Sequence, residues 1–202
     1  MEINPSTHQE CKVHTGITYD TQTQSEPFAS DNSSFSSRGL IEVDALLGMS
    51  LRQLQVLYED ARCPELSAIS GECKGRMLAV TGWGNRFPLH GMLHSFASTG
   101  IFPWKGKNFT PLSEVDGEGI NRTLSNRFPL QLFGFTTSID KSLHDYQPAY
   151  ILDYDQPKNP GFIRRIRDEI RQISSEVFLG QAWLKVSDSY HLALYFGLEL
   201  PK

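Results

Sequence analysis

Near the C-terminus, apolar and polar positions alternate with period two, the signature of strands with one face buried. Over residues 191–200, Leu192, Leu194, Phe196, Leu198 and Leu200 fall on one face and His191, Ala193, Tyr195, Gly197 and Glu199 on the other. Residues 178–186 carry Ala182, Leu184 and Val186 to complement that apolar face, and Ser187-Asp188-Ser189-Tyr190 joins the two stretches as a hairpin would. Three earlier segments, 104–109, 130–137 and 148–155, also predict strands. Residues 71–82, bounded by glycines around the run Met77-Leu78-Ala79-Val80, predict another that is largely buried.

Helical spacing is confined to short stretches. Ser50 and Gln53 form a capping box ahead of Leu51, Leu54, Leu57, Tyr58 and Ala61, and Pro64 ends the run. Residues 85–96, with Pro88 near the start, predict a second short helix with a weak point at Gly91. Phe162, Ile163, Ile166, Ile170 and Ile173 predict a third. In that third helix Arg164 precedes Asp168 and Arg165 precedes Glu169 by four, the less favourable orientation for a helical ion pair. These arginines are therefore expected either to pair in tertiary contacts, with Asp153 and Asp155 as partners, or to receive an anion from a ligand. At least five strands, two or three short helices and no βαβ alternation indicate a mainly β fold, an antiparallel barrel or curved sheet. Residues 1–38 are too poor in apolar groups to offset their ordering entropy and read as a flexible polar arm. Residues 39–202 read as a single barrel-like domain.

Length and charge narrow the function classes. The 202 residues are 39% hydrophobic and suffice for one domain with a substantial core. A net charge of -4 leaves no cationic surplus for a phosphate backbone, so nucleic acid is not expected as a partner. No stretch reaches the apolar length of a membrane span, and the N-terminal residues lack the pattern of a signal peptide. Cys11, Cys63 and Cys73 form neither a disulfide framework nor a zinc ribbon. Together these features read as a cytoplasmic protein.

Candidate chemistry is sparse, because phosphate-binding loops, dinucleotide fingerprints and nucleophile elbows are all missing. His90 and His94, four apart, would share a helix face. They could ligate a metal with a third partner, act as acid and base, or serve the structure only. The expectation carries no metal and no cofactor, and takes His90, His94 and Asp153 as the catalytic candidates. The predicted domain is rich in aromatic residues, and a small barrel can keep an apolar interior for one ligand. Trp104, Lys107, Tyr150, Arg164, Arg167 and Tyr195 are the residues expected to contact it.

The segments Trp-Lys-Gly-Lys-Asn-Phe at 104–109, Ile-Leu-Asp-Tyr-Asp-Gln-Pro-Lys-Asn-Pro at 151–160 and Ile-Arg-Arg-Ile-Arg-Asp-Glu-Ile-Arg at 163–171 carry a resemblance. In these the chain resembles uncharacterised bacterial lipocalin-like β-barrel proteins related to the GXWXG group. Phe102 stands where the first Gly of that group's motif would be. The resemblance implies a barrel with a cavity for a hydrophobic ligand and transfers no catalytic residues. The expected function is small-molecule binding, with cofactor-free acid–base catalysis of the isomerase, cyclase or lyase type on a hydrophobic metabolite. The alternative is a non-catalytic carrier of a fatty-acid-like or isoprenoid-like ligand, whose carboxylate the arginines would receive. A homodimer is compatible with either.

Overall fold

In the computed structural model, which describes residues 42–82, 104–125 and 128–201, the alternating stretches become neighbours in one sheet. Its eight strands are β1 (Gly71–Val80), β2 (Trp104–Pro111), β3 (Gly117–Ser125), β4 (Phe128–Lys141), β5 (Pro148–Asp153), β6 (Ile166–Gln172), β7 (Val177–Val186) and β8 (Ser189–Glu199). Each pairs antiparallel with the next, and β1 pairs with β8, so the sheet closes into an up-and-down barrel. Closure leaves no open edge to satisfy. The predicted arm and the predicted helix over residues 85–96 lie outside the described residues.

Helix α1 (Leu51–Glu59) starts at the predicted box: Ser50 Oγ accepts from the Gln53 amide, and Gln53 Oε1 accepts from the Ser50 amide at 3.0 Å. The helix buries Leu54 and Tyr58 beside Leu179 and Tyr195, on the outer face of β7 and β8. Before it, a 3-10 turn (Val43–Leu46) buries Val43 and Leu46 beside Val177. The Val43 amide donates to Glu199 Oε2 at 3.3 Å. Polar outer positions such as Gln181 and Glu199 are buried because this N-terminal segment covers them.

The predicted helix over residues 162–173 is instead a 3-10 turn (Ile163–Arg165) followed by β6. Ile166 and Ile170 lie four apart, a spacing that fits both a helix turn and alternate positions of a strand. The ladders of β5 and β7 decide for the strand. Ile166, Asp168 and Ile170 then face the interior and Arg167, Glu169 and Arg171 face outward. The unfavourably ordered helical charge pairs disappear with the helix.

β3 escaped prediction because its inward positions are Gly119, Asn121 and Thr123, so no apolar alternation marks it. Gly119 is required, since a Cβ there would run into the Phe135 ring of β4. On β8, Leu194, Phe196 and Leu198 face the interior as expected. Leu192 does not. Ala182 pairs with Leu194 while Trp183 pairs with Leu192, so Ala193 is an extra residue, and Leu192 packs with the cluster under α1.

Candidate functional site

The half of the barrel holding the start of β1 and the end of β8 is filled. Phe109, Phe135, Tyr150, Leu152, Ile170, Phe178 and Leu198 belong to one buried cluster there, and the Phe109 ring meets Phe135 and Tyr150 edge-on. The opposite half, where β1 ends and β2 begins, is hollow. A cavity of about 120 Å³ is walled there by apolar side chains, Met77, Trp104, Phe133, Ile166, Leu194 and Phe196 among them, with Ile163 of the 3-10 turn. Lys107, Asn121, Tyr154 and Asp168 also border it, as a polar layer between the hollow and filled halves.

Two bulges build this layer. At the first, Trp104 pairs with Thr123 and Gly106 with Arg122, so Lys105 is extra and Trp104 shares the interior face with Lys107. Gly106 has φ +133°, and a Cβ on it would overlap the Cys73 carbonyl oxygen of β1. Glycine is therefore needed at the centre of this Trp-Lys-Gly-Lys segment. At the second, Ile120 pairs with Gly134 and Asn121 with Leu132, which leaves Phe133 extra at φ 60°. A bulky residue in the left-handed region is strained, and such strain gathers at functional sites. Here it places Phe133 against the cavity, with its carbonyl 3.3 Å from Asn121 Nδ2.

The polar layer is one hydrogen-bonded unit. Lys107 Nζ donates to Asn121 Oδ1 at 2.9 Å, Tyr154 Oη at 2.5 Å and Asp168 Oδ2 at 2.9 Å. Tyr154 donates in turn to Asp168 Oδ2 at 3.0 Å and accepts from Asn121 Nδ2 at 3.1 Å. Trp104 Nε1 donates to Asn121 Oδ1 at 3.1 Å. Around the ammonium stand the rings of Trp104, Phe135, Tyr154 and Phe196, with centroids 5.1–5.5 Å away. One oxygen is left over: Asp168 Oδ1 is buried and has no partner.

Burial dominates the titration of this layer. It holds the Lys107 ammonium below the usual lysine range, against the opposing pull of the Asp168 charge. It lifts the Tyr154 phenol well above the tyrosine range, and the Asp168 charge adds to that rise. In the filled half, burial pushes Cys73 up to about 12, which leaves it a thiol.

Of the residues expected from sequence to touch a ligand, Trp104 and Lys107 border the cavity. Tyr150 lies in the filled half, against Phe109. Tyr195 faces outward beneath α1 and accepts from Gln181 Nε2 at 3.1 Å. Arg164 takes a pairing expected for it, its Nε meeting Asp155 Oδ1 at 2.6 Å, whereas Arg167 Nε meets Glu169 Oε1 of its own strand at 3.1 Å on the outer face. Neither borders the cavity, because the strand that replaced their helix turns Arg167 outward and leaves Arg164 in the preceding turn. Asp153 is exposed and accepts the Asp155 amide at 2.8 Å. His90 and His94 lie outside the described residues. Among the described residues, no group of three or more His, Cys, Asp or Glu side chains is placed to hold a metal.

Sequence reasoning missed Asn121, Tyr154 and Asp168 as site residues. A signal existed for Asp168, a charge standing midway between Ile166 and Ile170 on an apolar alternation. The four-residue spacing of the isoleucines fits the helical period equally, which makes Asp168 the ion-pair partner of Arg164 instead.

No family model matches the chain, and no curated protein matches it. Among solved structures, the crystal structure of a protein from Thermomonospora curvata is similar with a TM-score of 0.52 and 15% identity, over 79% of this chain and 93% of that one. The likeness is one of fold. It supports the closed eight-stranded barrel reached independently from the strand ladders.

Proposed function

We propose that the barrel binds a small, largely apolar molecule in the hollow half of its interior. The observation that carries this reading is the cavity itself, apolar on its walls and closed toward the core by the Lys107–Asp168 layer. An unfilled apolar space of about 120 Å³ forgoes about 3 kcal/mol of packing relative to a filled one. Its size approaches the ~150 Å³ of an engineered apolar cavity that accepts benzene, so a ligand, or the part of one held here, is of single-ring size. Ala182 and Ala193 border the space where larger side chains would close it.

The test is an NMR titration with neutral ring compounds: toluene, 4-methylphenol and 4-methylanisole. Shifts confined to the residues around Trp104, Asp168 and Phe196, and abolished by Ala182→Phe, support the proposal. If no compound of the panel moves those signals in the wild type, interior binding is refuted.

Carriage is favoured over turnover because the layer's groups are committed to one another. Acid–base catalysis has one observation on its side, the buried unpartnered oxygen of Asp168, which could accept a proton from a bound molecule. Deuterium uptake from D2O into carbon positions of a retained ligand, lost in Asp168→Asn while binding persists, would support it. A bound ligand that exchanges no carbon-bound hydrogen refutes it.

A further inference from the structure

We infer that the polar group of the ligand is a neutral hydrogen-bond donor, a hydroxyl or ring N–H, received by Asp168 Oδ1. This rests on the interior-binding reading above and specifies its ligand class. The inference comes from counting donors and acceptors in the polar layer. All three Lys107 donors are used, on Asn121, Tyr154 and Asp168. The single Tyr154 donor goes to Asp168 Oδ2. Asn121 Nδ2 reaches the Phe133 carbonyl and Tyr154 Oη, and Asn121 Oδ1 already accepts from Trp104 and Lys107. The remaining capacity of the layer is therefore an acceptor, Asp168 Oδ1, on a side chain only 6% exposed. A buried carboxylate oxygen without a donor costs free energy that a ligand O–H or N–H would recover.

Charge excludes the alternatives. Lys107 and Asp168 are paired at 2.9 Å and neutralise each other. A carboxylate ligand would meet an unshielded oxygen of Asp168 and find no free donor in the layer. The carboxylate-receiving arginines expected from sequence are engaged elsewhere, Arg164 with Asp155 and Arg167 with Glu169. A cationic ligand would be a second positive charge beside the caged Lys107 ammonium, which burial already disfavours. A ketone or ether supplies only acceptors, which the layer cannot use. Trp183 also has a buried N–H without a partner. Its side chain borders the same cavity but makes no bond to the Lys107–Asn121–Tyr154–Asp168 unit, and it could take an acceptor from the ligand, which a hydroxyl supplies along with its donor; the phenol and its methyl ether both offer that acceptor, so their comparison isolates the donor.

Calorimetric titration of the wild type with 4-methylphenol, 4-methylanisole, toluene, 4-methylbenzoate and 4-methylbenzylamine tests this. A hydrogen bond to a charged acceptor predicts that 4-methylphenol binds about tenfold or more tightly than toluene or 4-methylanisole. The benzoate and the benzylamine are expected to bind most weakly. Equal affinity for 4-methylphenol and 4-methylanisole overturns the donor inference while interior binding stands, and tighter binding of the benzoate or the benzylamine overturns the neutral class. Failure of all five to bind refutes both readings. In the charge-balanced variant Lys107→Met/Asp168→Asn, the preference for the phenol is expected to fall to less than about threefold. A preference kept intact there would place the donor's partner elsewhere. The wild-type ranking decides the matter even if that variant does not fold.

Discussion

Removing the interior charges one at a time and then together separates what the polar layer costs from what it contributes. Lys107 and Asp168 are 4% and 6% exposed and 2.9 Å apart. Lys107→Met leaves the carboxylate with only the Tyr154 hydroxyl as donor, and a buried charge stripped of its partner costs about 3–5 kcal/mol. Asp168→Asn strips the ammonium in turn and is expected to cost about 3 kcal/mol. The double variant removes both charges. Trp104 still donates to Asn121, Tyr154 still has an amide oxygen to donate to, and the new thioether sits among the four rings that surrounded the ammonium. Its expected cost is about 1–2 kcal/mol, the worth of the lost neutral bonds. Asp168→Asn also has a pH signature. Burial already lowers the folded-state pKa of Lys107, and losing the carboxylate lowers it further. Between that value and the unfolded lysine value near ~10.4, the unfolded chain holds a proton that the native state does not. Stability of this variant therefore rises with pH across the window, by up to about 1.4 kcal/mol per pH unit. The double variant lacks the rise. Urea unfolding at neutral and alkaline pH, followed by tryptophan fluorescence, measures all of this. Costs that add within ~0.5 kcal/mol, or an Asp168→Asn variant no more pH-dependent than the double, would refute the coupled pair.

Three further outcomes follow from the same structure. Gly106→Ala puts a Cβ onto the Cys73 carbonyl at φ +133°, and a loss of several kcal/mol or failure to yield soluble protein is expected; wild-type-like urea unfolding would contradict the bulge geometry. Ser50→Ala removes the α1 cap and is expected to cost about 1 kcal/mol, read as a lower urea midpoint at unchanged m-value. Asp145 is held below the usual aspartate range chiefly by its hydrogen bond from Arg171. Its contribution is thus present above about pH 4 and lost as pH falls through the folded value. Asp145→Asn should be less stable than wild type by about 2 kcal/mol at neutral pH and flatter on acid titration; an unchanged acid limb would assign the acid sensitivity to other groups.

The barrel class was legible because six of its eight strands announce themselves by period-two patterning or glycine-bounded apolar runs. The two that did not each carry a residue of the site, Asn121 on β3 and Asp168 on β6. β3 shows the interior a glycine, an amide and a hydroxyl. β6 interleaves Asp168 with isoleucines at a spacing that both periods accept. Trp104 and Lys107 could be singled out from the Trp-Lys-Gly-Lys segment, but nothing local told that a one-residue bulge sets them on the same face. Tyr154 is visible as an aromatic residue near the end of the strand predicted over 148–155. Its role depends on a partner on β6 and another on β3, which only closure of the barrel brings together.

That concealment has a physical origin. A buried lysine–aspartate pair adds little net stability over a well-packed apolar pair, so stability alone gives no reason to place one inside a barrel. Here the pair lies at the boundary where the packed core stops and the hollow begins, and four aromatic rings and two amide or phenol groups hold it in one arrangement. Two bulges, one requiring glycine and one straining Phe133, serve the same small region. Departures from ordinary strand and core rules concentrate where a fold sacrifices stability for function. In this chain they converge on one layer, and Asp168, whose Oδ1 the layer leaves unsatisfied, borders the cavity. A polar group fixed by so many neighbours has little freedom to rearrange around a guest, which is why the proposal above assigns the choice of guest to a donor on the guest itself.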